Sequence, residues 1–321
     1  MINLRFFGVR GSHPVADVKM SNYGGNTSCV LVTKTNNAGL QVPVIIDAGS
    51  GLIPLGYFMA SKLLGKEYTP SFPILFTHLH PDHTEGFNFF TPNFFPFSTL
   101  YLMGMQTLRR HVGIILKEKM LPPNFPIEYK DLKSQRIHQI LTDGQTVHID
   151  QEGKPVSKTD TPLFTIQIMQ AYAPSHPQQG ALYYRISDPE DGTSLVFIWD
   201  IESHIGGDVR VINFSQDADL MIHDTMYTDE EYENRRVPVQ GFGHSTFGMA
   251  IENAEKAGVK YLMPFHYNPR HNDDFLDAIE QAAIPRTSCT LIMAREGLEI
   301  SLDKRSIVEQ RMVPQGFSLG A

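Results

Sequence analysis

The sequence predicts an α/β fold in which two β-sheets pack face to face and carry helices on their outer sides. Three observations lead there. Short apolar runs rich in β-branched residues recur (Val42-Pro43-Val44-Ile45-Ile46, Phe72-Pro73-Ile74-Leu75-Phe76) and are too short to be helices. Each ends at a turn or a polar cluster rather than continuing in helical period. Strand-rich halves are interrupted by helices, and no linker divides the chain cleanly. The reading is one domain over residues 1–301, with a lid-like insertion near 84–135 and a C-terminal tail over 302–321.

The elements follow in order. Residues 2–8 read as a strand, 8–26 as a glycine-punctuated loop, and 29–32 as a second strand. The run 42–46 reads as a buried strand that ends in the sharp turn Asp47-Ala48-Gly49-Ser50-Gly51, before a helix over 52–64. Residues 72–76 form the next strand. A strand at 100–103 precedes a helix over about 106–119, and the proline-rich stretch 121–131 reads as loop. Strands dominate from 136 to 200. Further elements are an apolar strand at 220–223, a helix over 245–257, a strand over 260–264, a helix over 273–282, and strands at 289–293 and 297–301.

Composition narrows the class. The chain has 321 residues, 41% hydrophobic and 19% charged, which suits a globular protein with a sizeable core. Its net charge of −8 provides no global basic field, so no strong nucleic-acid binding is expected. Two cysteines far apart, Cys29 and Cys289, make no metal motif or disulfide framework, and a cytoplasmic setting is the default. The N-terminus lacks a signal-peptide pattern, and no run approaches the ~20 apolar residues of a membrane span, so no membrane role is expected.

The chemistry concentrates at His78-Leu79-His80-Pro81-Asp82-His83, directly after an apolar strand. Imidazole and carboxylate suit zinc, and also manganese or iron. Residues two apart on extended chain share a face, so His78 and His80 can grip one ion, while Asp82 and His83 lie beyond the turn at Pro81 and point toward a second. Further ligands should sit at the ends of other strands. His176 lies between two strands, Asp200 ends Val196-Phe197-Ile198-Trp199, and His266 follows Tyr261-Leu262-Met263-Pro264-Phe265. Taken singly, each is more often a capping or surface polar residue; their shared position is the argument. A carboxylate such as Asp200 can bridge two cations.

With those residues in view, the chain resembles the metallo-β-lactamase superfamily from about residue 2 to 300, with the family's motifs in order at Asp47, 78–83, His176, Asp200 and His266. The resemblance implies an αββα sandwich of two mixed sheets. It implies a first metal held by His78, His80 and His176, a second held by Asp82, His83 and His266, and Asp200 as the bridge. Asp47 would orient a ligand histidine. It also implies a homodimer.

Further motifs point to a branch. Asp219 to Thr225, with His223 and Asp224, resembles the His-Glu-Ala-Thr motif of the tRNA 3′-processing endonuclease branch, with the shorter aspartate in place of glutamate. Gly243-His244-Ser245-Thr246 resembles its His-Ser-Thr motif; the plainer reading of Ser245-Thr246 is a helix N-cap. The opening Phe7 to Pro14, with Asn26-Thr27-Ser28, resembles the glycine-rich loop of the phosphodiesterase branch, and His13 reads as a turn residue beside it. No glycine- and lysine-rich tRNA-clamping arm is found in the sequence.

The function expected is therefore a hydrolase with two divalent cations that cleaves a small phosphodiester, such as a cyclic nucleotide, through a metal-bridging hydroxide. Asp82, His244, His223 and Asp224 are the catalytic candidates. Phe87, Phe89, Phe90, Phe94, Phe95, Phe97 and Phe125 could wall a nucleobase, or equally form a hydrophobic lid or dimer contact. The alternatives are a thioesterase or lactonase on the same site, a tRNA 3′-end endonuclease, and a non-catalytic nucleotide-binding protein.

Overall fold

Successive side chains on a strand point to opposite faces, and in this chain both faces are apolar. Phe6, Val30, Val32, Val44 and Ile46 enter one buried cluster, while their neighbours Phe7, Leu31 and Ile45 enter another. The same alternation sends Tyr184, Phe197 and Ile222 into the first cluster and Tyr183, Val196, Ile198 and Met221 into a third. Three apolar layers of this kind require two sheets with a core between them and helices outside each. The computed structural model, which describes residues 1–107, 110–171 and 180–314, has that αββα arrangement.

One sheet runs, in spatial order, Ser306–Met312, Leu298–Asp303, Ile2–Gly8, Cys29–Thr35, Gln41–Ile46, Ser71–Leu75, Thr99–Gly104, Gln135–Ile140. The other runs Pro155–Val156, Thr146–Ile149, Phe164–Gln170, Leu182–Ser187, Ser194–Ile198, Leu220–Asp224, Tyr261–Phe265, Thr290–Leu291. Each sheet is antiparallel on one side and parallel on the other. Helix Leu52–Leu64 covers the first sheet through Leu52, Leu55, Met59 and Leu63, and Phe247–Lys256 covers the second through Ala250, Ile251 and Ala254. Burying a large apolar side chain fully contributes about 1.5–3 kcal/mol, so these faces fix the helices. Thr246 caps the second helix, its hydroxyl accepting from the Met249 N–H at 3.1 Å, which fixes the chain just after His244.

Three sequence expectations are corrected. Residues 106–119 are not one helix: Gln106–Thr107 and Arg110–His111 pair as a short hairpin, and the helix is Val112–Lys119, capped by His111. The stretch 84–135 is not simply a lid. Phe87 and Phe90 are fully buried beneath helix Leu52–Leu64 and Thr99–Gly104 is a sheet strand, while Phe89, Phe94 and Phe97 are exposed. The expected tail, 302–321, is strand through Met312. Ser306–Met312 pairs with Leu298–Asp303 across a turn in which Lys304 and Arg305 both have positive φ, 47° and 65°. Such turns usually carry Asn-Gly, and an edge strand exposed on most positions has no apolar pattern, so the sequence concealed it.

Candidate metal centre

Parallel strands bring the residues that follow them to one edge of a sheet. In the second sheet Ile198 pairs with His223, and Asp224 with Phe265. Asp200, Asp224 and His266 therefore emerge side by side. In the first sheet the parallel pair Gln41–Ile46 and Ser71–Leu75 delivers Asp47 and the 78–83 segment to the facing edge. Asp47 and His266 both turn the chain with positive φ, 60° and 62°.

Four donor atoms then converge. His83 Nε2 lies 3.2 Å from Asp82 Oδ2 and 3.4 Å from Asp200 Oδ1. His266 Nε2 lies 3.1 Å from Asp200 Oδ1, 3.5 Å from Asp82 Oδ2 and 3.3 Å from His83 Nε2. A tetrahedron with ligand bonds of about 2.0–2.1 Å has edges of about 3.3–3.4 Å, so this buried set has the spacing that a zinc-sized cation requires. A second group, His78, His80 and Asp200, adjoins it, with His78 Nε2 3.6 Å from Asp200 Oδ2. Asp200 thus turns one oxygen to each group. His176 lies outside the described residues.

The charge states of Asp82, Asp200 and His78 suit such ligands, whereas at His83 burial lowers the value but Asp82, Asp200 and Asp47 outweigh it and hold it well above the ordinary histidine value, so a cation there would displace its proton. Burial pushes the Asp82 and Asp200 carboxyls up, but the facing imidazoles, His83 and His266 above all, outweigh it and hold both well below the usual carboxylate range. Burial, reinforced by His83, drives His78 well below the ordinary histidine value, which leaves a neutral ring able to donate a lone pair.

The surrounding residues aim the donors. Asp47 accepts from His83 Nδ1 at 2.7 Å, from the Thr77 N–H and hydroxyl at 2.8 Å each, and from Trp199 Nε1 at 2.7 Å. The first bond sets the His83 tautomer and turns Nε2 to the centre. The Ser12 N–H donates to Asp82 Oδ2 at 2.7 Å, so the glycine-rich opening lies against the site. Gly11 permits this approach, because a Cβ there would meet the His266 ring at 2.3 Å. His13 is exposed.

Beside the convergence, His244 Nδ1 donates to Asp224 Oδ2 at 2.9 Å, and its ring stacks on His266 with centroids 5.1 Å apart. Burial pushes the His244 pKa down, but the Asp224 carboxylate outweighs it and lifts the value to about 9. Asp224 is itself fixed by the Ile201 and Met226 N–H groups at 3.2 and 3.1 Å, so the shorter carboxylate still makes the pairing. His223 does not belong here, and its candidacy is corrected. One residue back along the strand it faces the opposite side, where Nδ1 donates to the Asp224 carbonyl at 2.8 Å and Nε2 accepts from the Asn253 amide at 2.9 Å.

Sequence reasoning missed Trp199, Ser12 and Glu202. Trp199 is the chain's one tryptophan and precedes Asp200, a signal that was available. Ser12 acts through its backbone, which leaves no side-chain signature. Glu202 accepts from the N–H groups of Gly241 and Gly243 at 2.8 and 2.9 Å and so anchors the loop before His244.

Residues 43–267 match the family described as "Beta-lactamase superfamily domain", and the chain belongs to it. With its fold and its histidine–aspartate edge, it is a metal-dependent hydrolase of the metallo-β-lactamase type. A ribonuclease Z of Sulfurisphaera tokodaii is 28% identical over 242 residues, 68% of this chain and 74% of its own length. The short form of human tRNase Z matches in fold with a TM-score of 0.56 and 18% identity, over 94% of this chain and 99% of that one. Yeast PDE1 does so with a TM-score of 0.60 and 12% identity, over 94% and 99%.

These relatives overturn the expectation of no strong nucleic-acid binding, since ribonuclease Z is named for an RNA substrate. A net charge is a whole-chain sum and does not describe the field at one site. Arg235 and Arg236, which precede His244 by fewer than ten residues in sequence, and Arg270, on a cleft shared with Phe242, are exposed despite the overall −8. Among the described residues, no helix is long and apolar enough to cross a membrane.

Proposed function

We propose that this chain hydrolyses phosphodiester bonds at a centre holding two divalent cations, most suitably zinc. His78, His80 and Asp200 Oδ2 would hold one, with His176 as the further ligand that the family resemblance implies; Asp82, His83, His266 and Asp200 Oδ1 would hold the other. When bound, the cations act as Lewis acids and lower the pKa of water toward neutrality.

The chain's own residues supply the rest. Asp82, fixed by the Ser12 N–H, orients the attacking water and accepts its proton. His244, paired with Asp224, donates a proton to the departing oxygen. A new P–O bond forms to the water oxygen, the P–O bond to the leaving group breaks, and the products are a phosphomonoester and an alcohol.

The observation that carries this reading is the Asp224–His244 pair stacked against His266. An alkoxide needs a proton as it leaves, whereas a thiolate, with a pKa of about 8.5, does not, so the pair favours phosphodiester over thioester chemistry. A small phosphodiester such as a cyclic nucleotide is the first substrate class. Cleavage at an RNA 3′ end is the second, favoured by the ribonuclease Z relatives.

The test is hydrolysis of bis(p-nitrophenyl) phosphate with added zinc or manganese, with chelator as control, followed by cyclic nucleotides and 3′-extended RNA as competing substrates. Chelator-sensitive release of nitrophenol is expected. No release by protein shown to contain metal refutes the proposal. The His80→Ala variant is expected to lose bound metal and hydrolysis together.

A further inference from the structure

A cleft of about 440 Å³ opens beside the metal centre, within the roughly 300–1,000 Å³ of small-molecule sites. It reaches the centre at two points. Ser12, on its wall, bonds Asp82 at 2.7 Å, and Tyr227, also on its wall, lies edge-on to the His244 ring with centroids 6.1 Å apart. Through Tyr227 the cleft borders the His244 side, from which a protonated leaving group departs.

Its lining combines three chemistries. Tyr227 and Phe242 offer aromatic surface, Asn234 and Asn268 offer amide N–H₂ donors whose Oδ1 atoms are held by the N–H groups of Arg236, Val237 and Arg270, and Arg270 offers a guanidinium. The cleft's carboxylate, Glu231, is already engaged by His271 Nε2 at 2.8 Å and by the Thr228 N–H at 2.9 Å. Phe242 is 58% exposed and sits between Gly241 and Gly243, both at positive φ and both anchored on Glu202. An exposed aromatic ring on an anchored turn is a stacking surface, and among the described residues no ring stacks on Phe242. Flat aromatic faces, amide pairs and a guanidinium together recognise a nucleobase on a sugar phosphate.

We propose that this cleft binds the nucleoside portion of the substrate, with Phe242 and Tyr227 against the base and Arg270 toward the sugar phosphate. Its identity as the leaving-group side rests on the phosphodiesterase reading above. A mononucleotide and the end of an RNA strand present the same nucleoside chemistry here.

The test is calorimetric titration of the metal-loaded protein with adenosine 5′-monophosphate and with ribose 5-phosphate, which carries a hydroxyl at C1 where the nucleotide carries adenine. The nucleotide is expected to bind at least about fivefold more tightly, the lower end of what base-on-aromatic stacking contributes. Phe242→Ala, a change at an exposed position, is expected to remove most of that advantage, and Arg270→Ala is expected to weaken both ligands. Displacement of the nucleotide by a short single-stranded RNA assigns the nucleoside to an RNA end, and failure to displace it assigns a mononucleotide. Equal affinity for the two sugar phosphates, or an advantage that survives Phe242→Ala, overturns the proposal. Hydrolysis of bis(p-nitrophenyl) phosphate is followed on the same preparation. Activity without base preference rejects the cleft alone, and base preference without activity rejects the phosphodiesterase reading alone.

Discussion

Asp47 is the residue whose replacement has the most calculable effect. Its Oδ2 accepts three donors, from Thr77 Oγ1, His83 Nδ1 and Trp199 Nε1, and its Oδ1 accepts the Thr77 N–H. Asparagine is the clean substitution, because its backbone tolerates the φ of 60° at this position better than alanine. With the amide nitrogen placed at Oδ1, one buried donor, the Thr77 N–H, faces an N–H₂; in the flipped orientation three donors do. The first arrangement is preferred and leaves one buried donor unsatisfied, at about 1–3 kcal/mol, and the remaining bonds lose the strength that a charged acceptor gives. Asp47→Asn is therefore expected to destabilise the metal-free protein by about 2–4 kcal/mol. His83 keeps an acceptor at Nδ1, but a neutral amide oxygen in place of a carboxylate makes its ring a weaker ligand, so affinity for zinc is expected to fall about 10–100-fold. Urea denaturation measures the first effect, and competition with a chromophoric chelator measures the second. An Asn variant with wild-type stability and zinc affinity refutes the argument that Asp47 organises the centre.

Other residues give sharper separations. His244→Ala is expected to reduce turnover of a diester with an alkoxide leaving group, such as a cyclic nucleotide, by about 10²–10⁴-fold with metal content unchanged, and to affect bis(p-nitrophenyl) phosphate far less because nitrophenolate leaves without a proton; full turnover of the alkoxide diester in that variant removes His244 from the chemistry. His223→Ala is expected to cost about 1–3 kcal/mol by leaving one N–H of the Asn253 amide unpaired, the other donating to Ser203 Oγ, and to keep turnover in the folded fraction. A large loss of kcat at unchanged stability would show that it acts in catalysis after all. Glu296, bonded to the Asn26 N–H at 2.5 Å, is pushed by burial from the ordinary 4.5 up to about 7. The folded chain keeps this carboxyl protonated where the unfolded chain has already ionised it. Its contribution is thus complete below about pH 4.5 and lost as pH rises through about 7, by up to about 3 kcal/mol. Glu296→Gln should flatten that slope between about pH 5 and 8; denaturation curves that keep the wild-type slope refute the assignment.

The sequence by itself determined the layered α/β class and most of the metal-centre geometry. Runs such as Val42–Ile46, apolar on both faces, can be stable only when covered on both sides, and a cluster of three histidines and an aspartate after a buried strand has few other uses. Asp200 and His266 were legible because each follows directly on a strand, where parallel neighbours align their ends, and Asp82 and His83 because they cluster with His78 and His80 in the segment after Ser71–Leu75. The tertiary structure alone decided what depends on direction and on backbone. His223 and Asp224 are adjacent in sequence, yet pleating sends one to Asn253 and the other to His244. The hold of Ser12 on Asp82 runs through an N–H that every residue but proline possesses, so no side chain marks it. The strand Ser306–Met312 lies on a sheet edge facing solvent, where burial imposes no pattern. Local sequence records which residues must be buried and which can bind a cation; which side they face, and which distant backbone meets them, is settled only when the two sheets close on one another.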